Sequence, residues 1–252
     1  MVEVRFYDTV NDELLKFAVI ISQSNGKWVF CKHKERDTYE VPGGHRETGE
    51  DILETAKREL QEETGAIQFD IKPICVYSVT GKNSVNETDE ETFGLLCFAE
   101  ITEFSGQLES EIEKVELMDE LPQNWTYPLI QPKLIEKYLQ VKNNSIVGTT
   151  VTVTVDRPLG SYHPEYKDMY YPINYGYIEG VMAPDGEEQD AYILGVNEPV
   201  GKFTGKIIAI VYRKDDIEEK WVVVPDGVTF SKEEIRRQIH FQEQYFDSKI
   251  VM

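Results

Sequence analysis

The chain has 252 residues, a formal net charge of −20 and 40% apolar side chains. That length allows one large domain or two small ones that each bury a core, and no segment reaches the roughly 18 uncharged residues of a membrane helix. So acidic a surface excludes nucleic-acid polymers, which are bound through clustered Lys and Arg, and a polyanionic substrate is then expected to bind through metal.

The opening Met1-Val2-Glu3-Val4-Arg5 lacks a basic flank, an apolar core and a cleavage site, so no secretory signal and a cytoplasmic location are expected. Phe17–Ile21 and Trp28–Cys31 read as strands joined by the hairpin signal Ser24-Asn25-Gly26. Strand-like Tyr39-Glu40-Val41 leads through Pro42 to Gly43-Gly44, a predicted loop whose bare backbone can approach a metal or phosphate. A helix is predicted over Asp51–Thr64, because Ile52, Leu53, Ala56 and Leu60 recur at helical spacing and Gly65 ends it. Strands follow at Ile74–Val79 and Phe93–Phe98, then a helix over Gln131–Val141 and a short polar linker, Lys142-Asn143-Asn144-Ser145. Beyond it, strands are expected at Val147–Val155, Ala191–Val196, Lys206–Tyr212 and Trp221–Val224, and a helix N-capped by Ser231 over Lys232–Phe246. Two domains, 1–145 and 146–252, are the reading. Cys31, Cys75 and Cys97 each stand in an apolar strand, form no C-x-x-C pair and are expected as buried free thiols.

Chemistry concentrates first in Gly44-x5-Glu50-x7-Arg58-Glu59-Leu60-x-Glu62-Glu63-x-Gly65-Ala66. Glu59, Glu62 and Glu63 stand at i, i+3 and i+4, so their carboxylates share one side of the helix and repel one another. A divalent cation removes that repulsion and is held by it. Arg58, beside the cluster, is placed to orient a carboxylate by a bidentate bond, or to meet a substrate phosphate.

This motif resembles the signature of the Nudix hydrolases, and the resemblance covers roughly residues 15–140. Ala66 stands where a larger aliphatic residue is usual. The resemblance implies an α/β/α sandwich with a mixed sheet. It also implies Mg²⁺ or Mn²⁺ held by Glu59, Glu62, Glu63 and the Gly44 carbonyl, with Glu50 in support. Metal-activated water would attack a phosphorus of a nucleoside diphosphate linked to another group, with Glu62, Glu63 or the downstream Glu111 as base. The stretch from Gly26 to Gly44 looks like relatives acting on nucleoside triphosphates, oxidised guanine triphosphates included, and Lys32, Lys34 and Arg36 could meet the phosphate tail. ADP-ribose or another dinucleotide is the competing substrate.

The second half carries the tyrosine strand Tyr170–Ile178 and then Pro184-Asp185-Gly186-Glu187-Glu188-Gln189-Asp190, three carboxylates around a glycine turn. Together these resemble family I inorganic pyrophosphatases over about 147–250, whose metal loop reads D-x-D-x-x-D. The resemblance implies a small five-stranded β-barrel with helices, and so an α+β chain overall. Asp185, Glu187, Asp190 and Glu218 would be metal ligands, Tyr175, Lys220 and Tyr245 phosphate contacts, and Glu165 a supporting acid. There are departures. Between Ser161 and Tyr170 the chain is too short for the hairpin that carries the family's Lys and Arg. Phe246 stands where a phosphate-binding lysine is expected, and two ligand aspartates are glutamates. Pyrophosphate released by the first domain could be bound or weakly hydrolysed by the second. The readings from other classes are a nucleotide-binding regulator without turnover and an assembly protein whose barrel makes homo-oligomers. His33, His45, His163 and His240 show no metal spacing, and no G-x-S-x-G, P-loop or dinucleotide fingerprint occurs.

Overall fold

The computed structural model describes residues 2–82, 89–106, 108, 111–183, 186–213 and 218–252. The chain forms two compact units, Met1–Val141 and Lys142–Met252. No described helix is long and apolar enough to cross a membrane.

The first unit contains β1 (Glu3–Tyr7), β2 (Leu15–Ser24), β3 (Lys27–His33), β4 (Tyr39–Glu40), β5 (Gly43–His45), α1 (Ile52–Thr64), β6 (Ala66–Thr80), β7 (Thr92–Phe104), β8 (Ile112–Met118) and the start of α2 (Gln131–Ile146). Its sheet runs β1-β6-β7-β2-β3-β4, with β5 also on β2 and β8 on β3. The β2–β7 pair is parallel and the others are antiparallel, so the sheet is mixed. Asn25 (φ 50°) and Gly26 (φ 76°) make the tight β2–β3 hairpin with both turn residues at positive φ.

Alternation along the strands divides the apolar residues between two cores. Ala18 and Ile20 of β2, with Leu95, Cys97 and Ala99 of β7, face Ile52, Ala56 and Leu60 of α1. Ile21 and Leu96 point the other way, onto Leu134, Ile135 and Tyr138 of α2. One helix therefore covers each face. Asp51 caps α1 by accepting the Leu53 N–H at 2.9 Å, and Gly65 closes it at φ 70°.

The second unit contains β9 (Thr150–Arg157), β10 (Asn174–Met182), β11 (Glu188–Ile193), β12 (Lys202–Arg213), β13 (Glu219–Val224), α3 (Lys232–Glu243) and β14 (Ser248–Val251). The order β13-β11-β10-β9-β12 closes through a β12–β13 pairing into a five-stranded barrel, and β14 adds to β12. Along β13, Val222 and Val224 join Ile235 and Ile239 of α3, while Trp221 and Val223 join the opposite cluster with Val153 and Ile207.

Several elements differ from expectation. The glycine pair is strand β5, because Gly43 and Gly44 pair with Val19 and Ala18. The polar segment 142–145 continues α2 to Ile146. A capping box, Ser231 with Glu234, starts α3, which ends at Glu243 and leaves Phe246 outside it. All three cysteines are free; Cys31 and Cys97 are buried and Cys75 is half-buried.

Candidate active site and the barrel mouth

Pairing of β5 with β2 sets the glycine pair beside the buried side of α1. The Gly43 N–H donates to Glu63 Oε2 at 2.9 Å, and the Glu59 carboxylate lies where a Gly44 Cβ would stand. Arg58 organises the remaining acids. Its Nε and Nη2 hold the two oxygens of Glu50 at 2.9 and 3.1 Å, Nη1 reaches Glu59 at 2.7 Å and Glu62 at 3.2 Å, and Nη2 also donates to the His45 carbonyl at 3.1 Å. The bidentate bond read from the sequence thus goes to Glu50, which further accepts from the Thr55 hydroxyl at 2.8 Å and the Glu47 N–H at 3.1 Å.

The arrangement splits the acids electrostatically. The hydrogen bond from Arg58, then that from the Glu47 N–H, holds Glu50 down to about 2. Burial raises Glu59 against the opposing pull of Arg58. Burial, followed by the fields of Glu59, Glu40 and Glu111, pushes Glu63 up to about 8, although the Gly43 N–H opposes it. Buried Glu40 is likewise raised, by burial first.

Of these acids Glu40, Glu59 and Glu63 open onto a cavity of about 380 Å³, lined also by the polar Glu111, Arg36 and Gln131 and the apolar Phe17, Tyr77, Val79, Ile130 and Leu134. Phe17 packs edge-on against Tyr77 at 5.5 Å and His45 at 6.1 Å. Buried Gln131 receives the Val41 N–H on its Oε1 at 3.4 Å. The sequence signalled Glu59, Glu63 and Glu111 here but missed Glu40 and Gln131. Glu62 does not line the cavity; it is half-exposed and held by Arg58. Of the three basic residues expected on a phosphate tail, Arg36 lines the cavity, 3.5 Å from Glu40, whereas Lys32 is engaged by Glu113 at 3.0 Å and Asp37 at 3.1 Å.

Among the described residues no three His, Cys, Asp or Glu side chains converge as they stand into a closed metal cage, because Arg58 draws Glu59 and Glu62 toward itself. The donor set still fits a hard cation. It is all oxygen, it is crowded with like charge, and the absent Gly44 side chain lets the Glu59 carboxylate come up against the glycine backbone.

The NUDIX domain profile matches residues 13–137. YtkD of Bacillus subtilis, a protein named for 8-oxo-dGTP diphosphatase activity, is 34% identical over 124 residues, spanning 49% of this chain and 74% of YtkD. The chain belongs to the NUDIX family. Its Nudix half makes it a hydrolase of phosphoanhydride bonds in nucleoside diphosphate derivatives. The solved pyrophosphohydrolase BsRppH of Bacillus subtilis is 28% identical, covering 55% of this chain and 90% of that one, with a TM-score of 0.46. The second half is similar to the inorganic pyrophosphatase of Halalkalibacterium halodurans, 28% identical over 103 residues that span 38% of this chain and 61% of that protein. The Nudix and pyrophosphatase families are generally dependent on divalent metal.

At the barrel mouth the expected ligands meet cations of the chain itself. Asp190 Oδ2 accepts from the Tyr175 hydroxyl and from Lys220 Nζ, both at 2.5 Å. Lys220 also reaches Glu218 at 2.7 Å, and Glu218 in turn binds Arg213 at 2.7 Å. Arg213 continues to Glu243 at 2.7 Å and stacks on the Phe246 ring, 3.6 Å from its centroid. The side chains of Lys220 and Arg213 are 2% and 3% exposed. Glu243 further accepts from Tyr192 at 2.6 Å and from Ser248. Burial opposes its ionisation, but the bonds from Arg213, Ser248 and Tyr192 hold it below the usual carboxylate range. Tyr245 is exposed beyond α3 and takes no part in this chain of bonds, and Glu165 sits in the turn where its N–H donates to His163 Nδ1 at 3.1 Å. Glu187 lies just before β11, its carbonyl accepting the Ala183 N–H at 2.8 Å. Asp185 lies outside the described residues.

Proposed function

We propose that the first unit hydrolyses a nucleoside triphosphate, oxidised purine triphosphates included, to the monophosphate and pyrophosphate with Mg²⁺ or Mn²⁺. The observation that carries this reading is the junction of acids and cavity. Glu59 and Glu63 line the same partly apolar space as Phe17 and Tyr77, whose rings suit a flat base. The name of YtkD agrees with it.

Glu59, Glu62, Glu63 and the Gly44 carbonyl would hold the ion, which supplies charge neutralisation and an activated water. Arg58 acts as a positioning residue, fixing Glu50 and Glu59 from one guanidinium. Glu63 and Glu111, which both line the cavity, would be the candidates to receive the water's proton. The water would attack one phosphorus of the α–β anhydride, whose bond to the bridging oxygen would break, and the other phosphoryl group would leave with the electron pair, giving monophosphate and pyrophosphate. Gln131, its oxygen committed to the Val41 N–H, keeps its amide N–H groups for an acceptor on the base.

The test is a panel of ordinary and oxidised triphosphates, ADP-ribose and dinucleotides, with products resolved by chromatography for the parent chain and Glu59→Gln. Monophosphate and pyrophosphate in equal amounts from a triphosphate, lost in Glu59→Gln, is the expected result. Turnover confined to ADP-ribose or a dinucleotide would sink the triphosphate reading.

A further inference from the structure

We infer that the barrel mouth has replaced a divalent metal with the chain's own Lys220 and Arg213, and that this unit neither holds Mg²⁺ there nor splits pyrophosphate. The inference does not depend on which nucleotide the first unit takes.

Four described carboxylates of this region each already have a cation. Asp156 pairs with Arg157 at 2.8 Å, Asp190 with Lys220, Glu218 with both Lys220 and Arg213, and Glu243 with Arg213. These bonds run to Asp190 Oδ2 and Glu218 Oε2, so a metal taking those oxygens would displace Lys220 and Arg213, and one taking the second oxygens would sit beside both cations. Those two cations cannot turn away to solvent, being almost wholly enclosed. Lys220 would lose its carboxylates and Arg213 would keep Glu243 alone, two enclosed positive charges beside a doubly positive ion, which is a costly arrangement. Nor is Arg213 loosely placed. Glu243, the Tyr192 bond to Glu243 and the Phe246 ring fix its guanidinium from three sides. Tyr175, the expected phosphate contact, spends its hydroxyl on Asp190 and is itself buried. The donor set therefore does not fit the ion that the pyrophosphatase resemblance implies. The same bonds serve the fold instead, tying α3 and β14 to β12 and β13 through one line of alternating charge.

The full-length protein provides the test. Mn²⁺ bound per chain is counted by electron paramagnetic resonance in the parent, in Asp190→Asn and in Glu218→Gln, and phosphate release from pyrophosphate is measured in the Glu59→Gln background. Equal Mn²⁺ equivalents in all three proteins, and no phosphate above the buffer rate, are expected. Loss of one Mn²⁺ equivalent in Asp190→Asn or Glu218→Gln, or steady phosphate release in the Glu59→Gln background, would overturn the inference. Nucleotide turnover by Asp190→Asn, measured alongside, separates this failure from failure of the triphosphate reading.

Discussion

The neighbours Gly43 and Gly44 should respond in opposite ways to the same added methyl. At Gly44 the three atoms nearest the new Cβ all belong to the Glu59 carboxylate, the far end of a flexible side chain. Gly44 is not at positive φ, so alanine adds no backbone strain. Glu59 would swing aside, and the fold should keep its melting temperature within about 2 °C, since a shift of that size is under 1 kcal/mol for a chain this long. A displacement of about 1 Å at a reacting centre costs on the order of 100-fold in rate, so kcat for Gly44→Ala should fall by about that factor, with weaker Mn²⁺ binding. At Gly43 the Cβ would stand 2.5 Å from the Ala18 carbonyl oxygen and 3.0 Å from the Val19 Cα, both backbone of the paired strand. There β2 and β5 must part, and overpacking of this kind costs roughly 1–3 kcal/mol, or about 2–12 °C at about 2–4 °C per kcal/mol. Circular dichroism melts and nucleotide turnover at saturating Mg²⁺ measure both. Parent-like kcat and Mn²⁺ affinity in Gly44→Ala would refute the placement of Glu59, and an unshifted melt in Gly43→Ala would refute the pairing.

Three further outcomes are expected. Because Glu63 sits near 8 in the folded, metal-free chain against about 4.5 unfolded, the native state holds the proton longer; metal-free stability should fall as pH rises from about 5 to 8. Glu63→Gln should flatten that slope in melts followed across pH, and Mg²⁺ should oppose it while releasing a proton, seen by calorimetry in buffers of different ionisation heat. Gln131→Leu leaves the buried Val41 N–H without its acceptor and should cost about 1–3 kcal/mol, and it should compress the kcat/KM ratio between purine and pyrimidine substrates by about 10-fold, on the order of one hydrogen bond to a base. Arg213→Met strands Glu243, whose side chain is 6% exposed, and should lower the barrel's stability by about 3–5 kcal/mol, read as an earlier transition in denaturant.

What could be read from the chain without its structure was whatever depends on near neighbours. The acids of α1 are one turn apart, its caps Asp51 and Gly65 flank it directly, and the Asn25-Gly26 turn is local chemistry. Strands such as β8 and β14 were hidden because their pairing partners, β3 and β12, decide them more than their own composition. The glycine pair looked like a loop for the same reason: two residues without side chains have no strand preference until β2 supplies the hydrogen bonds. The cavity wall was beyond reach, since Gln131 meets Val41 across 90 residues. At the barrel mouth the acids were legible and their neutralisation was not. Arg213 is 30 residues from Glu243, and a lone arginine ending a strand carries no mark of the carboxylate it will meet.

The burial of Cys31 and Cys97 has a practical corollary. Burial pushes the Cys97 thiol up to about 12 and raises Cys31 as well, while Cys31 Sγ also lies 3.6 Å from the Glu63 carbonyl oxygen, at the end of α1. A thiol-modifying reagent should therefore meet at most Cys75 while the chain is native. Residues 142–252 contain no cysteine. Alkylation under rising urea thus counts the opening of one unit and is blind to the other, so the chain already carries a probe that separates their denaturation without a dye or an engineered tag.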